Sequence, residues 1–232
     1  MKKILITFLG FLTFISHPLC ASDRYALSLD MGYGHNLTYG SFANFDLGAY
    51  MPFNEHFEMQ ANVRMSTANT YAIGVQMRPK FALPVGEMYI EDRLLTNIIK
   101  RDNGLDFVHA LSVGYRMQYV NVQLGMTNRV MLPPNSESGG DTFVCEPFDL
   151  LYRVEVNVRP TTSVWNLSLA LSNVDDYEIE RMWQPMFYLG GWYDINDHWR
   201  VSLRGKLKLA GMFHLTAHYY ASEVRVGTQY RF

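Results

Sequence analysis

The feature that most constrains the fold is an alternation of apolar and polar residues that recurs in segments of about ten residues. In residues 57–65 every second residue is apolar, and the positions between hold Glu58, Gln60, Asn62 and Arg64. A period of two places one set of side chains on each face of a β-strand. The same pattern returns along most of the chain, with turn-forming residues between the segments, and it predicts an all-β fold.

The composition indicates that the apolar face of these strands meets lipid. The chain has 14% aromatic and only 18% charged residues, and its mean hydropathy is −0.08. No apolar run approaches the ~20 residues that a membrane-spanning helix needs. A membrane protein without such helices is a closed barrel, because an open sheet edge leaves backbone groups unsatisfied in lipid. We therefore predict a transmembrane, antiparallel, up-and-down β-barrel.

A soluble β-sandwich is the alternative fold, because its strands also alternate apolar and polar residues. Its polar face points to bulk water and tends to carry many Lys and Glu residues. Here the polar face is rich in Gly, Asn, Gln, Ser and Arg, and Tyr, Phe and Trp lie near the ends of the apolar face, as in the interfacial girdles of membrane barrels. These residue types favour the barrel.

The alternating segments predict about twelve strands, an even number as bacterial barrels require, with ten or fourteen as alternatives. Their expected positions are residues 24–34, 41–51, 56–66, 70–80, 87–97, 105–117, 119–130, 148–159, 163–172, 185–194, 199–209 and 221–232. Every second connection is short, as at 52–55 and 195–198, whereas 131–147 and 173–184 are the longest. Short periplasmic turns and longer external loops are typical of outer-membrane barrels, so both termini are predicted to be periplasmic.

The N-terminus predicts export. Lys2 and Lys3 precede an apolar run of about a dozen residues, and a more polar stretch follows as far as Cys20. A basic start and a short apolar core are typical of a secretory signal peptide. We predict a signal peptide at residues 1–21 and one barrel domain at residues 22–232. Lipid attachment at Cys20 is the less favoured alternative.

Removal of the signal peptide limits the chemistry of the mature chain. It takes away Lys2 and Lys3 and no acidic residue, so the formal net charge moves from −2 to −4, and nucleic-acid binding gains no support. Cys145 is then the only cysteine, which excludes an intramolecular disulfide and a multi-cysteine zinc site. No cofactor and no metal site are predicted.

The C-terminal strand ends on an aromatic residue. Val224, Val226, Thr228, Tyr230 and Phe232 alternate with polar residues up to the last position. This strand resembles the assembly signal of Gram-negative outer-membrane β-barrel proteins in general, without indicating a subfamily. The resemblance implies a location in the cell outer membrane, with outer-membrane lipid and the assembly machinery as partners. A monomer is expected.

The polar face of the predicted strands is basic and is expected to line the lumen. The basic candidates are Arg64, Arg78, Arg116, Arg153, Arg200, Arg204, Lys206, Lys208, Arg225 and Arg231, and the acidic ones are Asp30, Asp46, Glu58 and Glu155. A lumen rich in Arg and Lys favours anions. The alternative is that these charges pair across a narrow barrel and fill it, which would leave a purely structural membrane protein.

The predicted external loops are acidic. One carries Glu137, Asp141 and Glu146, and the other, at residues 173–184, carries four carboxylates, Asp175, Asp176, Glu178 and Glu180. Their spacing does not match a calcium-binding loop. We interpret both loops as solvated.

A membrane-embedded lipid hydrolase is the rival class of function. Such an enzyme needs a serine and a histidine on one face, but His109 and Ser112 are three residues apart and fall on opposite faces of a strand. His35 and His214 lie near predicted external ends, where a serine from another strand would have to meet them. The favoured hypothesis is a non-enzymatic, narrow channel or binding protein for small anionic solutes.

Overall fold

The computed structural model describes residues 24–68, 70–99, 104–132, 144–160, 162–211 and 217–232. The described residues form twelve strands, which confirms the predicted all-β barrel and its strand number. In chain order they are β1 (Ala26–Asn36), β2 (Gly40–Asn54), β3 (Phe57–Ser66), β4 (Thr70–Ala82), β5 (Glu87–Ile99), β6 (Gly104–Arg116), β7 (Val120–Leu132), β8 (Val144–Asn157), β9 (Trp165–Ser172), β10 (Met186–Asp194), β11 (Trp199–Ala210) and β12 (His218–Arg231). The predicted signal peptide, residues 1–21, lies outside the described residues. In the part of the chain that the structure describes, no helix is long and apolar enough to cross a membrane.

The barrel closes because the last strand pairs with the first. Every strand is antiparallel to its neighbours in the sequence, and β12 pairs with all 11 residues of β1. Past the strand, the Phe232 amide donates to the Tyr25 carbonyl at 2.9 Å. The Tyr230 ring lies 5.1 Å from the Phe232 ring and 5.0 Å from the Trp199 ring. A closed sheet leaves no edge strand with unpaired backbone groups.

The two ends of the barrel differ in their connections. We call the end that carries Arg24 and Phe232 the terminal end, and the opposite end the loop end. Turns at residues 55–56 and 195–198 lie at the terminal end, whereas the longest described connection, residues 173–185, lies at the loop end. The position of this long connection agrees with the sequence, but the predicted alternation is not complete, because the connections 37–39 and 67–69 at the loop end are also short and 158–164 at the terminal end is longer than either.

The two faces of the barrel wall have opposite chemistry. On the outer face Leu111, Leu124, Leu203 and Val226 are each more than half exposed, whereas Asp46 on the inner face is fully buried. An apolar exterior around a charged interior is the reverse of the arrangement in a soluble protein. This exterior requires an apolar surrounding such as a bilayer.

Strand β5 alternates poorly because large apolar residues lie on its inner face. Tyr89 and Leu95 point into the barrel and are almost completely buried, whereas Asp92 lies on the outer face. Gly114 of β6 makes room for the Tyr89 ring, since a Cβ atom at residue 114 would lie 2.0 Å from a ring carbon. The interior is therefore packed as well as charged.

Candidate functional site

The structure places most of the predicted charged residues inside the barrel or at its mouth. Arg200 and Arg231 lie at the terminal end, where both donate to Asp194. Arg159 lies past the end of β8, with its guanidinium 4.0 Å from the centre of the Trp165 ring. The remaining candidates face the interior, namely Arg64, Arg78, Arg116, Arg153, Arg204, Lys206, Lys208, Arg225, Asp30, Asp46, Glu58 and Glu155.

On strands β2 to β5 the inward charges neutralise one another. Arg64 donates to both oxygens of Asp46, at 2.7 and 2.8 Å, and both side chains are buried. The next group centres on Glu91, where Arg78 bridges Glu91 and Glu58. Buried charges are tolerated when each has a partner of opposite sign. This half of the wall therefore supplies its own counter-charges.

The second carboxylate oxygen of Glu91 contacts two further side chains. Arg93 lies 3.0 Å from that oxygen, and Gln123 donates to it at 3.1 Å. The Glu91 side chain is only 2% exposed. Three side chains therefore bond this buried carboxylate, and the pattern in the sequence did not assign it.

Strands β11 and β12 carry an excess of positive charge. Arg204, Lys206 and Lys208 occupy alternate inward positions of β11, and Arg225 pairs with Arg204 in register. We call these four residues the cationic row. Glu223 lies 2.8 Å from Lys206 and 3.0 Å from Arg225. Asp46 of β2 also lies 3.5 Å from Arg225, but it is shared with Arg64. Two carboxylates cannot neutralise four cations, so β11 and β12 need further counter-charge.

That counter-charge comes from residues 173–180, which fold back into the barrel as an acidic hairpin. Val174 and Ile179 form an antiparallel bridge, and the Asp175 amide donates to the Glu178 carbonyl at 2.8 Å. Val174, Asp175 and Ile179 are 1%, 3% and 4% exposed, and Tyr177 is equally buried. The interpretation of this segment as a solvated loop was wrong. The reason is that the segment carries the charges that the wall lacks.

The carboxylates of the acidic hairpin meet the cationic row in order. Asp175 lies 3.4 Å from both Arg225 and Lys206. Glu178 contacts Lys206 and lies 2.7 Å from Lys208, and Glu180 lies 2.6 Å from Lys208. From residue 175 to residue 180, the hairpin therefore follows β11 toward the loop end.

Contacts with the opposite wall hold the acidic hairpin across the lumen. The Arg64 guanidinium lies 4.5 Å from the centre of the Tyr177 ring. Arg93 donates to the Asp175 carbonyl, and Arg129 donates to the Ile179 carbonyl. An apolar cluster adds packing, since Val174 and Ile179 join inward residues of four strands, Ala72, Leu95, Val108, Ala110 and Leu151. The hairpin therefore spans the interior and is fixed from both sides.

The charges around the acidic hairpin keep its carboxylates ionised. Burial alone would raise the pKa of Glu178, but attraction to Lys206 and Lys208 outweighs burial and lowers that pKa to about 2. Burial likewise opposes ionisation of Asp175, and Arg225 and Lys206 hold its pKa well below the ordinary value. Both ion pairs are consequently intact at neutral pH.

Two cavities lie on either side of the acidic hairpin. One, of about 280 Å³, is lined by Glu178, Glu180 and Lys208 together with Tyr39 and Tyr220 near the loop end. The other, of about 240 Å³, is lined by Asp176 and by inward residues of β4 to β8, Arg78, Tyr89, Arg93, Arg116, Asn121, Gln123, Arg153, Glu155 and Asn157. The hairpin thus stands between two polar spaces of the lumen.

The histidines do not form the dyad of a lipid hydrolase. His109 lies on the outer face, whereas Ser112 points inward and accepts from Gln123 at 2.7 Å. His35 lies opposite Ser222 in register, but the Ser222 hydroxyl is bonded to the Tyr219 hydroxyl. The remaining candidate, His214, falls outside the described residues. In the described ranges, no group of three His, Cys, Asp or Glu side chains is placed to hold a metal ion.

His109 has a different partner, also unforeseen. Its Nε2 atom lies 2.8 Å from Asp92 Oδ1, and the two side chains are 51% and 42% exposed on the outer face. Asn128 lies opposite His109 in register. These polar side chains interrupt the apolar exterior near the middle of β5 and β6.

The sequence pattern also missed inward charges on β5 to β7, among them Glu91, Arg93, Asp106 and Arg129. Arg129 lies 3.4 Å from Asp106. Glu91 and Arg93 are two residues apart with opposite charges, a spacing that places both on one face and could have revealed them. The inward Tyr89 and the outward Asp92 obscured that signal, because they reverse the usual polarity of the two faces.

The sequence matches no protein-family model and no curated protein. The fold is similar to that of solved outer-membrane barrels. The translocator domain of autotransporter NalP from Neisseria meningitidis gives a TM-score of 0.58 at 13% identity, covering 100% of this chain and 96% of that one. A KdgM porin, solved in complex with disordered oligogalacturonate, gives 0.57 at 9% identity, covering 89% and 99%. The NanC porin gives 0.55 at 10% identity, covering 89% and 100%. The expected class of fold, an outer-membrane β-barrel, is confirmed.

Proposed function

We propose that this chain is an outer-membrane channel that passes small anionic solutes along its cationic row, with the acidic hairpin narrowing the passage. The observation that carries the proposal is the unequal charge of the wall. Strands β2 to β5 carry matched charges, whereas the cations of β11 and β12 take most of their counter-charge from a segment outside the wall. Fixed positive charge whose counter-charge comes from a connecting segment and not from the wall is suited to holding a passing anion.

The setting of the channel follows from its two ends. The loop end faces the exterior of the cell, and the terminal end faces the periplasm, as short turns at that end suggest. Two structural neighbours, KdgM and NanC, are porins, which supports a channel over an enzyme. A purely structural role is the alternative that a conductance measurement distinguishes.

The proposal is tested by ion selectivity in planar bilayers. The wild-type protein is expected to conduct chloride in preference to potassium, and Arg204→Gln with Lys206→Gln is expected to shift the reversal potential toward that of potassium, because unpaired hairpin carboxylates then dominate. Arg159→Gln removes one positive charge outside the lumen and should leave the reversal potential unchanged. If folded protein produces no conductance in the bilayer, the proposed channel function is wrong. Phospholipid hydrolysis by the wild type that is lost in His35→Ala would favour the lipid hydrolase over the channel.

The outer-face pair of His109 and Asp92 gives a second prediction, on stability. In lipid these polar groups are costly, so replacing both by Leu is expected to raise the free energy of unfolding by on the order of 1–2 kcal/mol. Urea unfolding in lipid vesicles measures the change. The control is a double Leu replacement of His56 and Glu55, a pair of the same types that lies in an exposed turn. An equal gain in both variants would show that lipid contact is not the cause.

A further inference from the structure

The cationic row has the geometry of a track. Arg204, Lys206 and Lys208 are on alternate residues of one strand, so their Cα atoms repeat at roughly 7 Å along β11. Arg225 widens the row at one end, since it lies beside Arg204 on β12. A single small anion would engage one or two of these cations. A chain with carboxylates at regular intervals would engage all of them.

The acidic hairpin already occupies the track in this manner. Asp175, Glu178 and Glu180 take successive cations in the direction of the loop end. The wall also donates to neutral oxygens of the hairpin, because Arg93 and Arg129 bond its carbonyl groups. The amides of residues 175 and 180 bond within the hairpin instead. The two sides of the lumen therefore bind different groups of the hairpin, since β11 and β12 bind its carboxylates and β5 and β7 bind its carbonyl oxygens.

We infer that the cationic row is a binding site for a short linear polycarboxylate and that the acidic hairpin is its tethered, displaceable occupant. This inference rests on the proposed function only in that a solute must reach the lumen. A tethered occupant has an effective concentration in the millimolar range or above, so it suppresses weak single anions. A polycarboxylate gains several ion pairs in one binding event and competes more effectively.

The test is the affinity of purified, detergent-solubilised full-length protein for trigalacturonate, measured by calorimetry. The triple variant Asp175→Asn, Glu178→Gln, Glu180→Gln should bind it at least ten times more tightly than the wild type does, because the track is free. Adding Lys206→Gln and Lys208→Gln to the triple variant should abolish the gain. Hexaglutamate in place of trigalacturonate reports whether the backbone of the ligand matters, and acetate, with one carboxylate, should bind far more weakly than either.

Matched controls keep the result interpretable. Glu55→Gln removes a carboxylate in an exposed turn outside the lumen, and it should leave the affinity unchanged. Glu180→Gln alone removes one contact and should give a smaller gain in affinity than the triple variant. If the triple variant fails to fold, the gain of Glu180→Gln over the wild type still tests the inference. Equal trigalacturonate binding by wild type and by every folded variant would overturn the inference. The chloride preference of the wild type would still stand in that case, so the proposed function is judged separately.

Discussion

Neutralising Asp175, Glu178 and Glu180 is expected to raise the single-channel conductance several-fold. These carboxylates anchor the acidic hairpin to Lys206, Lys208 and Arg225, and the hairpin stands between cavities of about 280 and 240 Å³. Without these ion pairs the hairpin keeps its apolar contacts but loses its electrostatic attachment, so it leaves the lumen more often. The freed cations should also increase the preference for chloride.

Planar-bilayer recordings in potassium chloride measure both effects. Glu55→Gln is again the control, because it removes a carboxylate outside the lumen and leaves the three anchoring carboxylates in place. Higher salt should raise the relative conductance of the wild type more than that of the triple variant, since screening weakens the same ion pairs. An unchanged conductance in the triple variant would mean that the apolar packing of Val174 and Ile179 alone holds the hairpin in the lumen.

Replacing Glu91 by Leu is expected to lower the free energy of unfolding by about 3–5 kcal/mol. Glu91 is 2% exposed and neutralises Arg78 and Arg93, so its loss leaves buried guanidinium groups short of counter-charge. Glu87 is the matched control, because it lies on the same face of β5 but is 29% exposed and 3.5 Å from Arg116. Glu87→Leu should cost less than about 1 kcal/mol.

Urea unfolding of both variants in lipid vesicles checks this prediction. The Glu91 variant should also refold less completely, since the unpaired charges oppose closure of the barrel. Similar decreases in the free energy of unfolding of the two variants would show that burial does not determine how much these ion pairs stabilise the barrel. A small loss in both would indicate that water or anions enter the lumen and replace the missing carboxylate.

Local residue pattern was sufficient to predict the barrel wall. Alternation at a period of two assigned all twelve strands, and it predicted the closing strand that ends at Phe232. It also assigned the faces of Arg64, Lys206 and Arg225, because a strand leaves only two directions for a side chain. The assignment failed at β5, where Tyr89 and Leu95 face inward to pack in the filled lumen.

The acidic hairpin was decided by the tertiary structure alone. Its carboxylates have no period, and a run of acidic residues between two strands reads as a solvated loop. Asp175 is 31 residues from Lys206 and 50 from Arg225 in the sequence. Their attraction becomes effective only after closure has collected the cations of β11 and β12 on one inner wall, in a space that excludes most water. The sequence by itself therefore determined which side chains point inward, and the closed barrel determined which of those charges remained for the hairpin to neutralise.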